Sequence, residues 1–225
     1  MSIVTGITGF RAVSPQNMVL HAGAAFVNIN LAELRSLAGF DVNDWADAID
    51  PDNTWTSAAG NLVAPRAFGA TREGAEARFE APISQIGPID GLRGPVMGLD
   101  KRDTAQGIIV VTVLEVRDPD TLQIALGSSD KDEWSSYDEI TPRLAVVEGD
   151  YIPNIAIAAS VNDGDVVLPV IVVLENAIAI NSTSFKTQDG NAVGLQLELR
   201  GSSPLTAPLD QPIHFFLPKN AGSGS

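Results

Sequence analysis

The sequence predicts a mainly β protein: one domain built as a β-sandwich or barrel, with one short flanking helix and a partly helical insertion. Three observations predict it. Apolar runs rich in Val and Ile, such as IIVVTVL over 108–114 and VVLPVIVVL over 166–174, alternate with a punctuation of 20 glycines and 14 prolines. Side chains branched at Cβ fit a pleated surface better than a helix. Leu195, Gln196, Leu197, Glu198 and Leu199 alternate apolar with polar, the period of a strand with one wet and one dry face. Many such runs with few helical intervals describe sheets packed on sheets.

In chain order, residues 18–28 read as the first strand. A helix is expected from Asn30 to Gly39, because Asn30 and Glu33 form a capping box, and a further helical stretch over 42–49. The segment 30–65 differs from the rest. It holds Asp41, Asp44, Asp47, Asp50 and Asp52 against the single cation Arg35, together with Trp45 and Trp55. Such an insertion is either a surface excursion pinned by its own tryptophans or a contact arm, and these residue types admit both.

Strands follow over 77–85 and 108–114. Residues 118–127, DPDTLQIALG, carry the punctuation of a short helix: Asp118 as N-cap, Pro119 in the first turn and Gly127 at the C-terminal left-handed position. Leu122, Ala125 and Leu126 would share its core-facing side. Further strands are expected over 144–147, 155–161, 166–174, 192–199 and 213–217. Asn162-Asp163-Gly164-Asp165 signals a tight hairpin turn between two of them. The domain is expected to occupy 1–220, with the last five residues, AGSGS, as a flexible or artificial tail.

Composition narrows function by exclusion. Lys and Arg total 14 against 28 Asp and Glu, a net charge of −14, so the global field repels phosphate rather than holding nucleic acid. Without cysteine there is no disulfide framework, thiolate metal site or cysteine nucleophile. No apolar run approaches the roughly 20 residues of a membrane span, and no secretory pattern opens the chain; a soluble protein made in the cytoplasm is expected.

His21 and His214 lie in strand patterns and read as structural. Serine-elbow, phosphate-loop and dinucleotide glycine motifs are absent. Acidic clusters at 130–139 and 163–165 lack the spacing of a calcium loop, and a carboxylate-pair hydrolase would need a cleft between its acids. No enzyme, cofactor or metal is expected.

One region stands apart: FGATREG at 68–74, FEAPI at 79–83 and IDGLRGPVMGL at 89–99. Six of the 14 basic residues fall between Arg66 and Arg102. The glycines at 69, 74, 91, 94 and 98 call for unusual backbone angles or close approach. Read alone, this is two glycine-rich loops around a strand.

As an ordered set, Gly69-Ala70-Thr71-Arg72, a strand, and Asp90-Gly91 with Gly94, Val96 and Gly98 resemble the major tail tube protein of long-tailed bacteriophages. Residues 19–27 resemble that family's first strand pair, and 108–116 with 118–126 resemble its strand-then-helix element. The likeness runs from about residue 18 to 126. The acidic insertion is longer than in compact members, and Glu73 stands where a second glycine is common.

The resemblance implies a β-sandwich assembling as hexameric rings, stacked into a hollow tube of the virion. Its partners would be copies of itself, a tape-measure protein, and tail tip and terminator proteins, while DNA transits without tight binding. Inter-subunit contacts would fall to Gly69, Thr71, Arg72, Asp90, Gly91, Arg93, Gly94, Gly98 and Arg102. Asp41, Trp45, Asp52 and Trp55 would form a ring-to-ring docking arm. Closing exposed strand edges into a ring, and presenting carboxylates to passing DNA, agree with the composition. The rival readings are a tail terminator or type VI secretion tube-like ring protein, a carbohydrate-binding sandwich using Trp134 and Tyr137, and a carboxylate-pair hydrolase.

Overall fold

The computed structural model describes residues 19–36, 48–57, 60–69, 71–85, 100–102, 105–114, 118–163, 166–181, 183, 194–203 and 210–218. It is mainly β, and every strand pairing is antiparallel. The first half contains β1 (Val19–Val27), α1 (Leu31–Ser36), β2 (Trp55–Thr56), β3 (Leu62–Val63), β4 (Arg66–Ala67), β5 (Thr71–Glu80), β6 (Ile83–Gln85), β7 (Asp100–Arg102) and β8 (Gln106–Val113). The second contains α2 (Pro119–Leu126), β9 (Ser129–Glu133), β10 (Asp138–Pro142), a 3-10 turn (Glu148–Asp150), β11 (Ile152–Asp163), β12 (Val166–Ala179), β13 (Leu195–Arg200) and β14 (Ile213–Phe216).

Hydrogen bonding follows the path β4-β1-β11-β12-β13-β8-β5, with β14 also on β12. Among the described residues the path does not close, because β4 and β5 at its ends are not paired with each other. β12 is the strand shared by the two halves of the sheet, β4-β1-β11 with β14 as one and β13-β8-β5 as the other. One edge takes β11 along its length, from Ile152 opposite Ala177 to Asp163 opposite Val166. The other takes β14 at 171–174 and then β13 at Ile178 and Ala179. Between these two partners Asn176 sits at φ 45°, a left-handed angle that asparagine tolerates better than most residues.

The main core draws on both halves: Ala25, Val27, Ile155, Ile157, Leu174 and Ile213 from one, and Ile109, Val111, Val113, Leu195, Leu197 and Leu199 from the other. The interleaved residues Ala156, Ile171 and Val173 point the opposite way, into a second cluster with Ile29, Leu31, Leu34 and Ala48. The central strands β11 and β12 are thus covered on both faces. That is why they read as unbroken apolar runs rather than alternating ones. β13 keeps the alternation expected of it, with its three leucines buried and Gln196 exposed.

The helix at 118–127 has the punctuation the sequence predicts. Asp118 accepts from the N–H groups of Asp120 and Thr121, and Gly127 closes it at φ 71°. Its inner face differs by one residue: Leu122 and Ala125 meet the core with Ile124 rather than Leu126. Asn30 caps α1 as expected, accepting from Glu33 N–H at 3.3 Å. Of the helical stretch expected over 42–49, only Ala48 and Ile49 lie within the described residues, and both are helical.

Two expectations need correction. Residues 144–147 form no strand; Leu144, Val146 and Val147 are exposed in a connection. The expected strand over 77–85 is two elements, because β5 starts earlier and stops at Glu80, and Ile83–Gln85 pairs with β7 instead. The proline at 82 cannot donate to a ladder, which fits the break. The acidic stretch at 130–139, read without structure, contributes the two strands of the β9–β10 hairpin.

Candidate self-assembly surface

β4 and β5 lie at opposite ends of the strand path yet follow one another in the chain. The crossing is made by Phe68, which is buried and donates its N–H to Ala25 O at 2.8 Å, and by Gly69 at φ 90°. A side chain at that angle would be strained, so Gly69 serves the turn from one sheet edge to the other. Thr71 then opens β5 opposite Val113. Gly74, at φ 79°, falls where the β5–β8 register shifts between Arg72 and Ala75, a bulge of the type glycine allows. The glycines of FGATREG therefore have local work within the chain, whatever the motif does between chains.

β5 is a ten-residue strand whose outer edge carries no partner among the described residues. Ala75 and Ala77 pack on the main core, while Glu76, Arg78 and Glu80 are exposed. Arg78 Nε meets Glu76 Oε1 at 2.8 Å, and this hydrogen bond holds the Glu76 carboxyl below its ordinary range. Glu80 accepts from Gln106 Nε2 at 3.0 Å. Charged side chains on a bare edge discourage indiscriminate pairing and leave it open to a partner of matching charge.

Beyond Glu80 opposite Gln106 the same two chain segments continue as the short β6–β7 hairpin, with Ile83 opposite Arg102. Residues 86–99 connect these strands, so Asp90, Gly91, Arg93, Gly94 and Gly98 lie outside the described residues. Arg102 is placed: its guanidinium carbon is 5.5 Å from the Phe79 ring centroid, a cation–π contact on an exposed surface. Arg72 and Phe79 are seven steps apart on an extended strand, roughly 23 Å at the rise of a strand. Arg72 and Arg102 thus lie at opposite ends of the β5–β8 pair and cannot serve a single contact point.

The insertion is tied to its own domain where it is described. Trp55 is half-buried and its indole N–H donates to Asn28 O at 2.7 Å. Asp52 is exposed, its N–H donating to Asp50 Oδ1 at 2.9 Å. Asp41 and Trp45 lie outside the described residues.

One cluster escapes sequence reasoning altogether. His214 Nε2 lies 2.7 Å from Glu175 Oε1, and Arg35 Nη2 lies 3.1 Å from the same oxygen. Arg35 Nη2 also lies 3.1 Å from His214 Nε2, so the three groups form one cluster. His214 first, and Arg35 after it, hold Glu175 below the ordinary glutamate range. The cluster staples α1 and β14 to β12. Nothing local in the sequence signals it, since 140 residues separate Arg35 from Glu175 and 39 separate Glu175 from His214.

Trp134 and Tyr137 stack on each other at the β9–β10 turn, with centroids 6.0 Å apart and rings 20° from parallel. No group of metal-ligating residues occurs among the described residues, and none of their helices is long and apolar enough to cross a membrane. No protein-family model matches the chain, and no curated protein matches it.

Proposed function

We propose that this chain is the structural subunit of a phage tail tube, a β-sandwich that closes into hexameric rings and stacks into a conduit for DNA. The observation that carries the reading is the placement of the motif region. Its first half builds the corner and β5, whose outer edge carries no partner among the described residues, and beyond that edge β6 and β7 form a short antiparallel arm. An unpaired edge with an arm beyond it suits head-to-tail closure, in which one surface meets a different surface of the next copy. The core, shared between two strand groups joined at β12, suits a sandwich. A charge of −14 suits a lumen that must not retain DNA.

Negative-stain electron microscopy of the purified protein tests this directly. Six-fold rings or tubes are expected, and a persistent monomer across protein concentration and salt would overturn the proposal. Single rings that never stack would transfer it to a terminator-like ring protein.

A further inference from the structure

The connection after β10 exposes apolar side chains on a backbone that is held at both ends. Leu144 is 106% exposed, Val146 52% and Val147 47%. Beneath them Arg143 N–H donates to Ser128 O at 3.0 Å, and the Ser128 hydroxyl donates to Ala145 O at 2.7 Å. Val147 N–H donates to Asp150 Oδ2 at 2.8 Å. Arg143 clamps the segment: Nη2 donates to Asp150 Oδ1, and Nε lies 2.9 Å from Asp130 Oδ1, out of line for a hydrogen bond. Asp150 is itself nearly buried. The fold thus commits a half-buried arginine and two carboxylates to fixing a strap whose aliphatic side chains face water. Preorganising apolar groups in this way lowers the ordering cost of binding.

Charge says what the strap would accept. Between Ser128 and Asp150 there are seven carboxylates and only two cations. Lys131 is engaged by Glu133 and Asp138, and Arg143 by Asp130 and Asp150. Asp132, Glu139 and Glu148 keep no cation among the described residues. Asp132 and Glu139 stand directly opposite each other in the β9–β10 hairpin, a like-charge pairing that costs stability. Asp132 shares a strand face with Asp130, against which Arg143 sits, and Glu148 opens the turn that supplies Asp150. These three carboxylates therefore border the strap. A second copy, at net −14, would bring more of the same sign, and even its cation-rich stretch 66–102 sets five carboxylates against six cations.

We infer that the 143–150 strap, with the adjoining face of the β9–β10 hairpin, is a docking surface for a segment of another protein that presents apolar side chains flanked by Arg or Lys. The aliphatic side chains supply the desolvated centre, and the carboxylates set register and speed encounter. The inference is independent of the tube reading, since it draws on none of the residues that carry that reading.

The test is fluorescence anisotropy on the whole chain with a labelled short peptide of leucine and arginine. Controls are a leucine–glutamate peptide and an arginine–serine peptide. The leucine–arginine peptide is expected to bind and the controls to bind at least about tenfold more weakly. Leu144→Ser with Val146→Ser, and separately Asp132→Asn with Glu139→Gln and Glu148→Gln, are each expected to weaken binding about tenfold. Binding by the wild type and by the Leu144→Ser, Val146→Ser variant should fall steeply with salt, and binding by the carboxylate variant should depend on salt far less. These side chains are exposed, so circular dichroism should show every variant folded. Absence of binding, or equal binding by variants and wild type, would overturn the inference. So would self-association of the wild-type chain that Leu144→Ser abolishes, which would give the strap to a second copy.

Discussion

Gly201→Ala and Gly107→Ala probe how closely the two halves of the core are drawn together. Gly201 N–H donates to Gly107 O at 3.1 Å, and both glycines face Leu174. A Cβ at 201 would lie 2.6 Å from Leu174 Cδ1, 3.0 Å from its Cγ and 3.1 Å from Pro212 Cβ. A Cβ at 107 would lie 2.7 Å from both Ile213 Cβ and Leu174 Cδ1. Leu174 is 0% exposed, so its side chain has no room to swing away. Overpacking of this kind costs about 1–3 kcal/mol, and each alanine should fall in the upper half of that range.

The second step separates the two sites. Leu174→Ala alone should cost about 2–5 kcal/mol through lost burial and a cavity. At 201 the offending atoms belong mostly to Leu174, so the double variant should cost about 1–2 kcal/mol less than the sum of the singles. At 107 the Ile213 Cβ remains whatever occupies 174, and the rescue should be smaller. Urea unfolding of the three single and two double variants measures this, with unchanged m-values as the check on a common mechanism. Single alanines within about 0.5 kcal/mol of wild type, or strict additivity at 201, would refute the packing argument.

Four further outcomes are expected. Because the folded pKa of Glu175 is depressed, its contribution is present above the ordinary value near 4.5 and is lost as pH falls below it; melting temperature should drop more between pH 6 and 3 in the wild type than in Glu175→Gln. Asp118→Ala removes the cap of α2 and the partner of Arg66 Nη1 at 3.3 Å, and should cost about 1–2 kcal/mol in urea unfolding. Trp55→Phe keeps a ring but orphans Asn28 O, and should cost about 1 kcal/mol by thermal melt while leaving the sheets intact. On the tube proposal, Arg72→Glu should leave a folded chain that forms no rings by electron microscopy; tubes of normal appearance would remove Arg72 from the interface.

What could be read in advance depended on how far each signal reaches along the chain. The α2 helix was legible to its caps because Asp118, Pro119 and Gly127 act on backbone groups within four residues. The β11–β12 hairpin was legible because Asp163 and Val166 are paired and two residues join them. The β9–β10 hairpin was missed because its strands, SDKDE and DEITP, carry almost no apolar side chains to set a period. The strap at 144–147 misled for the opposite reason: its aliphatic residues mimic a buried strand, while Arg143 and Asp150 hold them outward. Of the candidate assembly residues, Gly69, Thr71 and Arg72 stand out in the sequence as a motif, but their division between a corner and the start of β5, and the place of Arg102 beside Phe79 at its far end, do not.

By itself, then, the sequence determined the β character, the helix termini, the tight turns and the −14 charge, all set by composition or by neighbours a few residues apart. The tertiary structure alone decided which strands pair, that β12 serves both halves, and that Arg35, Glu175 and His214 meet. Those outcomes depend on long-range packing, where a leucine at 174 finds the glycines at 107 and 201 only after three separate strands have come together.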